Sequence, residues 1–169
     1  MDKSEQRKTI TLFFCDIYGT VDGNFTEEET IKFAGLLEEL RRQNNSDYLV
    51  FSILSSELPV VVNSYKKHLS KYFSDSVIVM PEFLELEKVR EEKIAYALCC
   101  VEQLKKVYDI DTIIYADDIV FLHEMLGELL SEKEDILINS IVPGYGENNL
   151  NFINNELERK IIKSKPQKR

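Results

Sequence analysis

Residues 9 to 21 read TITLFFCDIYGTV. The first seven are uncharged and run directly into Asp16, with Gly19 soon after. Near-continuous apolar runs of this kind are typical of strands in parallel sheets, which helices cover on both faces. Four more such runs follow along the chain, at residues 48–54, 76–80, 111–116 and 135–139. The opening stretch therefore predicts the first strand of a five-stranded parallel sheet.

Segments with helical spacing separate these runs. Thr26 and Glu29 form a capping-box signature, and apolar residues recur on one stripe after them. Further helical segments are predicted at about 58–73, 87–107, 119–132 and 148–162. The resulting order βαβαβαβαβα indicates an α/β, Rossmann-like fold of three layers. We expect residues 1–158 to form one domain and residues 159–169 to form a basic C-terminal tail.

Charge and composition narrow the classes of partner. The net charge is −9, although residues 159–169 hold six basic residues and no acidic one. An acidic body disfavours nucleic acid and anionic membranes, whereas the basic tail leaves a protein partner open.

No apolar run approaches the ~20 residues of a membrane span, and the N-terminus lacks the core of a signal peptide. We therefore expect a cytoplasmic protein with reduced thiols and no membrane insertion.

Chemistry-bearing side chains follow three of the predicted strands. Asp16 follows the first, Ser55 and Ser56 the second, and Asp117 and Asp118 the fourth. In doubly wound sheets, ligands bind beyond the carboxyl ends of the strands, so these residues should meet at one edge. Each also has an ordinary structural interpretation, because serine and aspartate are common helix caps.

Lys93 opens the third helical segment and is a candidate cation for the same edge. A lysine on an amphipathic helix usually faces solvent, and Lys88 is an alternative for the same role. The two histidines, His68 and His123, fit structural or exposed positions better than catalytic ones.

Taken in order, these residues resemble the motifs of the haloacid dehalogenase (HAD) superfamily. The run ending in Asp16, with Gly19-Thr20-Val21 after it, resembles the first motif, and the run FSILS ending in Ser55 resembles the second. Lys93 in EKIAYAL resembles the third motif, and YADD, which ends in Asp118, resembles the acidic fourth. The resemblance covers about residues 9–140 and implies the strand order 5-4-1-2-3.

The resemblance implies a Mg²⁺-dependent phosphohydrolase. Asp16 would attack phosphorus and form an aspartyl-phosphate. Mg²⁺ would be held by Asp16, the backbone carbonyl of Tyr18 and Asp117, with Asp118 as a further ligand or as a partner of the ligands. The residues expected to bind the phosphate oxygens are Ser55, Ser56, Lys93 and Thr20.

Two departures from the family pattern qualify that expectation. Tyr18 stands where family phosphatases usually carry an acid–base aspartate, and a phenol with a pKa of ~10 is a poor proton donor and acceptor near neutral pH. The interval from Val21 to Thr26 leaves no room for a large cap, so the site would be open to macromolecular phosphorylated substrates. We therefore expect either a slow or specialised phosphatase or a HAD-like pseudoenzyme that binds a phosphorylated ligand or a protein. A response-regulator receiver is disfavoured, because its lysine follows its acidic residues.

Overall fold

Five parallel strands form one sheet at the centre of the structure. The computed structural model describes residues 6–16, 26–55, 59–80, 93–134, 136, 138–143 and 150–164. The strands are β1 (Thr9–Cys15), β2 (Tyr48–Ile53), β3 (Val77–Val79), β4 (Asp109–Ala116) and β5 (Ile138–Ile141). They pair in the order β3-β2-β1-β4-β5. This is the predicted order 5-4-1-2-3 read from the other edge, so the predicted α/β fold and topology are confirmed.

Five helices cover the two faces of this sheet. They are α1 (Glu27–Gln43), α2 (Pro59–Ser70), α3 (Lys93–Lys105), α4 (Val120–Glu134) and α5 (Leu150–Ser164). Because strand residues alternate between faces, Phe13 and Cys15 pack with α1, α2 and α5, whereas Leu12 and Phe14 pack with α3 and α4. Two buried apolar layers therefore fix β1 in the middle of the molecule.

The register of β1 sets the position of the residues that follow it. Cys15 pairs with Ile53 of β2 and with Ala116 of β4. The pairing continues beyond the strand, since the Asp16 amide donates to the Ala116 carbonyl at 2.9 Å. The carboxyl ends of β1, β2 and β4 therefore lie side by side at one edge, which we call the carboxyl edge.

The capping box predicted for α1 is present. The Thr26 hydroxyl accepts a hydrogen bond from the Glu29 amide at 3.0 Å, and the Thr26 amide donates to the Glu29 carboxylate at 2.9 Å. This reciprocal pair gives hydrogen-bond acceptors to two backbone amides that the start of the helix would otherwise leave without partners.

The boundaries at the end of the chain differ from those predicted. The fifth strand was predicted at residues 135–139, but β5 runs from Ile138 to Ile141. The reason is that α4 continues to Glu134, and the chain pairs with β4 only from Ile138 onwards. The last helix, predicted to end at about residue 162, ends at Ser164, and Ile161 is buried in the core. The division into a domain and a basic tail from residue 159 stays a prediction.

The described residues include no inserted cap domain. In the part of the chain that the structure describes, no helix is both long and apolar enough to cross a membrane.

Candidate functional site

Asp16, Lys93 and Asp117 meet at the carboxyl edge of the sheet. The Lys93 ammonium lies 3.0 Å from Oδ1 of Asp16 and 2.9 Å from Oδ2 of Asp117. All three side chains are buried. Two carboxylates separated by about 100 residues of sequence therefore share one cation. The expected binding of phosphate by Lys93 stays a prediction.

Neighbouring elements hold these three side chains in place. Asp16 follows the central strand β1, and Asp117 follows β4, where its amide donates to the Ile141 carbonyl at 3.1 Å. Lys93 is the first residue of α3, and the apolar residues after it, beginning with Ile94, are buried against the sheet. The helix thereby directs its first side chain to the two acids.

Tyr115 is a residue of this site that the sequence analysis missed. Its hydroxyl donates to Oδ2 of Asp117 at 2.6 Å, and the Ile119 amide donates to Oδ1 at 3.0 Å. Burial and the neighbouring Asp117 carboxylate raise the pKa of Tyr115, so the phenol stays protonated and acts as a donor. The Asp117 carboxylate is thus oriented from both of its oxygens.

His123 fixes the backbone of the same residue. Its Nε2 lies 2.7 Å from the Asp117 carbonyl, which can only accept, so Nε2 carries a proton. Its Nδ1 lies 2.9 Å from the Ser140 hydroxyl, which donates to it when the ring is neutral. Burial lowers the pKa of His123, and the ring packs on Tyr115 at a centroid distance of 4.5 Å. The structure thus gives His123 a positioning role.

The charges in the site depend on one another. Burial lowers the pKa of Lys93, but the Asp16 and Asp117 carboxylates raise it by more, so the amine is protonated at neutral pH. Burial, followed by the Asp16 charge, raises the pKa of the Cys15 thiol well above its usual value. Cys15 is therefore a protonated core thiol rather than a nucleophile.

Three carboxylates of the site are close enough to hold one metal ion. Single oxygens of Asp16, Asp117 and Asp118 all lie within 4.8 Å of one another. Burial is the largest cause of the raised pKa of Asp118, followed by a hydrogen bond with Asp117 and by the charge of that carboxylate. A bound cation would offset the repulsion between the two carboxylates. Carboxylate oxygens are the ligands that Mg²⁺ prefers, so the residues present fit this ion.

The remaining predicted site residues differ in what the structure says of them. Ser55 is partly exposed and follows Leu54, whose amide donates to the Cys15 carbonyl at 2.8 Å. It therefore lies at the carboxyl edge beside Asp16. Tyr18, Thr20 and Ser56 lie outside the described residues, so their predicted roles stay predictions.

Comparisons with known proteins place the fold. No protein-family model matches the sequence, and a search of curated proteins finds no match. Among solved structures, the HAD domain of the effector protein Lem4 from Legionella pneumophila is similar with a TM-score of 0.51 and 12% identity. The similarity covers 94% of this chain and 99% of that domain. The protein MT0777 shares the same coverage and identity at a TM-score of 0.44. The architecture of this chain, a five-stranded parallel sheet between two layers of helices, is that of a HAD-like fold.

Proposed function

We propose that this chain is a Mg²⁺-dependent phosphohydrolase with Asp16 as its nucleophile. The observation that carries the proposal is the position of Lys93, which lies within hydrogen-bond distance of both Asp16 and Asp117. A buried ammonium between two carboxylates is a ready donor to the oxygens of a phosphoryl group. The third carboxylate, Asp118, completes a set of oxygen ligands at the same place.

In the proposed reaction, an Asp16 oxygen forms a bond to phosphorus while the bond from phosphorus to the leaving oxygen breaks. The leaving oxygen takes that electron pair and a proton from solvent. The oxygen of a water molecule next bonds to phosphorus while the bond from phosphorus to the Asp16 oxygen breaks; the water gives up a proton to solvent, inorganic phosphate leaves, and the Asp16 carboxylate is regenerated. Bound at Asp16, Asp117 and Asp118, Mg²⁺ would offset the charge that the carboxylate and the phosphate bring together.

The proton transfers are the step that this chain performs least well. Tyr18 occupies the sequence position of the usual acid–base aspartate, and general acid–base help is worth about 10²–10⁴-fold. We therefore propose a slow enzyme, or one whose substrates have good leaving groups. The second candidate function is a module that binds a phosphorylated ligand without turnover. It also rests on Tyr18, because the same replacement that slows proton transfer could abolish it.

An assay with an aryl phosphate tests the proposal. Wild-type protein should release phosphate in the presence of Mg²⁺, and the release should stop when EDTA is added. Asp16→Asn should lower kcat by at least about 10³-fold. The matched control is Asp75→Asn, which alters an exposed aspartate ahead of β3, at the opposite edge of the sheet. It should retain wild-type turnover.

The Tyr18→Asp variant separates the two candidate functions. A gain in kcat shows a working phosphate site that lacks an efficient proton donor, and a slow wild-type enzyme then fits. If wild type and Tyr18→Asp are both inactive, yet calorimetry detects Mg²⁺ and phosphate binding, the chain is a binding module. Activity that survives Asp16→Asn rules out Asp16 as the nucleophile.

A further inference from the structure

Three exposed apolar residues directly follow the acidic pair of the site. Ile119, Val120 and Phe121 are 37%, 54% and 61% exposed, and we call them the apolar ridge. The Ile119 amide is bound to the Asp117 carboxylate, so the ridge begins at the site itself. Single exposed apolar residues are common, but three in a row beside a functional site indicate a contact surface.

The helix that carries the ridge continues with an acidic face. Glu124, Glu128 and Glu132 of α4 are all exposed and follow one another at intervals of four residues. Residues at this spacing lie on one side of a helix, and we call the three the acidic stripe. From Phe121 to Glu132 the helix rises by about 16 Å, the length of roughly five residues of extended peptide.

We propose that the ridge and the stripe bind a phosphorylated polypeptide segment. An apolar side chain next to the phosphorylated residue would lie on the ridge, and basic residues farther along the segment would pair with the stripe. This inference rests on the proposed function and names the substrate class of the same site. The charge pattern of α4 supports it, because an apolar surface followed by three carboxylates complements apolar and then basic side chains.

The distribution of charge favours a polypeptide over an anionic membrane or a nucleic acid. The chain has a net charge of −9, and both alternatives attract lysine and arginine. The basic residues Lys160 and Lys163 are in the last turns of α5, where they line a cleft with the end of α1. That cleft lies at the edge of the sheet opposite the ridge, so these lysines do not flank the ridge.

Two phosphopeptides test this inference. The first has a central phosphoserine, leucine on both sides of it and lysines at both ends; in the second, serine replaces the leucines and glutamate replaces the lysines. With Mg²⁺, kcat/KM should be at least about tenfold higher for the first peptide, since apolar burial and opposite charge both favour it.

Surface variants identify the residues that bind the peptide. Val120→Ser/Phe121→Ser should lower the ratio of kcat/KM for the first peptide to that for an aryl phosphate by about tenfold. Glu124→Gln/Glu128→Gln/Glu132→Gln should lower the same ratio and weaken its dependence on salt. The matched control is Val107→Ser/Ile162→Ser, which changes residues that are 62% and 66% exposed at the opposite edge, and its ratio should stay at the wild-type value.

Binding measurements separate this inference from the proposed function. Fluorescence anisotropy with Asp16→Asn should detect the labelled first peptide and not its unphosphorylated form, and the ridge variant should weaken that binding. If wild type hydrolyses no aryl phosphate while this binding pattern holds, the proposed function fails and the docking surface stands. A ridge variant with an unchanged ratio and unchanged peptide binding overturns the inference. So does ridge-dependent binding to anionic vesicles, or a dimer that the ridge variant dissociates in sedimentation.

Discussion

Lys93 is the residue on which the charge balance of the candidate site depends. Its ammonium contacts two buried carboxylates, so the group of three carries a single net negative charge away from water. Removing one member of a buried charge cluster leaves the others without compensation, which costs more than the loss of an exposed ion pair. Lys93 is therefore expected to stabilise the fold through these two contacts, apart from any role in the proposed reaction.

We predict that Lys93→Met lowers the free energy of unfolding by about 3–5 kcal/mol in buffer without Mg²⁺. The loss should be smaller in Lys93→Met/Asp16→Asn, because the second change removes one of the two carboxylates that repel each other once the lysine is gone. Urea denaturation of the single and double variants measures both effects. Lys106→Met, at an exposed lysine just after α3, is the control and should change stability by less than about 0.5 kcal/mol. Equal stability of the two lysine variants would contradict the prediction.

The sequence was sufficient to predict Asp16 and Asp117 as neighbours, because parallel strands bring their carboxyl ends to one edge. Lys93 came from the resemblance to the third HAD motif, with Lys88 as the alternative. The sequence was not sufficient to predict Tyr115. That side chain lies inside an apolar run, and only the alternation of β4 and the turn at Asp117 direct its hydroxyl to the carboxylate. His123 was interpreted as structural from its helical position, but its bond to the Asp117 carbonyl depends on how the start of α4 folds over β5.

At the scale of elements, one glutamate connects the end of α1 with the turn before β3. Arg41 donates two hydrogen bonds to the Glu38 carboxylate, Arg42 donates one, and the Ser74 hydroxyl donates another. Hydrogen bonds from Arg41 are the largest cause of a Glu38 pKa that is lowered from 4.5 to about 2. A carboxylate with this many donors stabilises the fold only while it is ionised.

This lowered pKa predicts a pH dependence of stability. Because the pKa is lower in the folded than in the unfolded chain, the stabilisation is complete above about pH 4.5 and is lost as the pH falls towards 2. Glu38→Gln should therefore destabilise the protein by about 1–2 kcal/mol at pH 7 and by less at pH 3. Urea denaturation at both pH values measures the difference, with Glu39→Gln as the control. A deficit that is equal at the two pH values would exclude Glu38 as the titrating group.

Element boundaries were predicted less well than element order. Thr26 caps the start of α1 as expected, because the capping box is a local signal that needs no tertiary contact. The start of β5 has no such signal. Apolar residues resume at Ile136, directly after the charged residues that end α4, and the position of Ile141 opposite Ala116 is set by pairing with β4. Tertiary contacts therefore decide a boundary that composition leaves ambiguous.

At the scale of the whole molecule, Mg²⁺ should act as a stabilising ligand. A ligand that binds only the folded state at 100 times its Kd stabilises by about 2.7 kcal/mol, which raises Tm by several degrees in a protein of this size. Thermal unfolding with Mg²⁺ and with EDTA measures the shift. Asp118→Asn leaves the buried Asp16 and Asp117 carboxylates intact and should reduce the shift in Tm that Mg²⁺ produces. A shift that is equal in wild type and in Asp16→Asn/Asp118→Asn would place the ion elsewhere.

The fold as a whole was the part most accessible from sequence. Five uncharged or apolar runs alternating with amphipathic helices permit few arrangements, since parallel crossovers are right-handed and connections are short. The strand order came from the resemblance to HAD proteins, and the pairing of β1 with both β2 and β4 confirms it. What the sequence left open was the surface, because exposure of Val120 or Phe121 cannot be read from a pattern that equally suits a buried helix.

The central place of β1 also determines when the protein can become native during its synthesis. β1 needs β4 on one side, and about 100 residues separate Asp16 from Asp117. Ribosomes add ~5–20 residues per second, so roughly 5 to 20 s pass between the synthesis of the two acids. During that interval β1 can pair with β2 alone. Arrival of β4 then brings the two acids together, and β5 completes the sheet after it. No shorter nascent chain contains both acids.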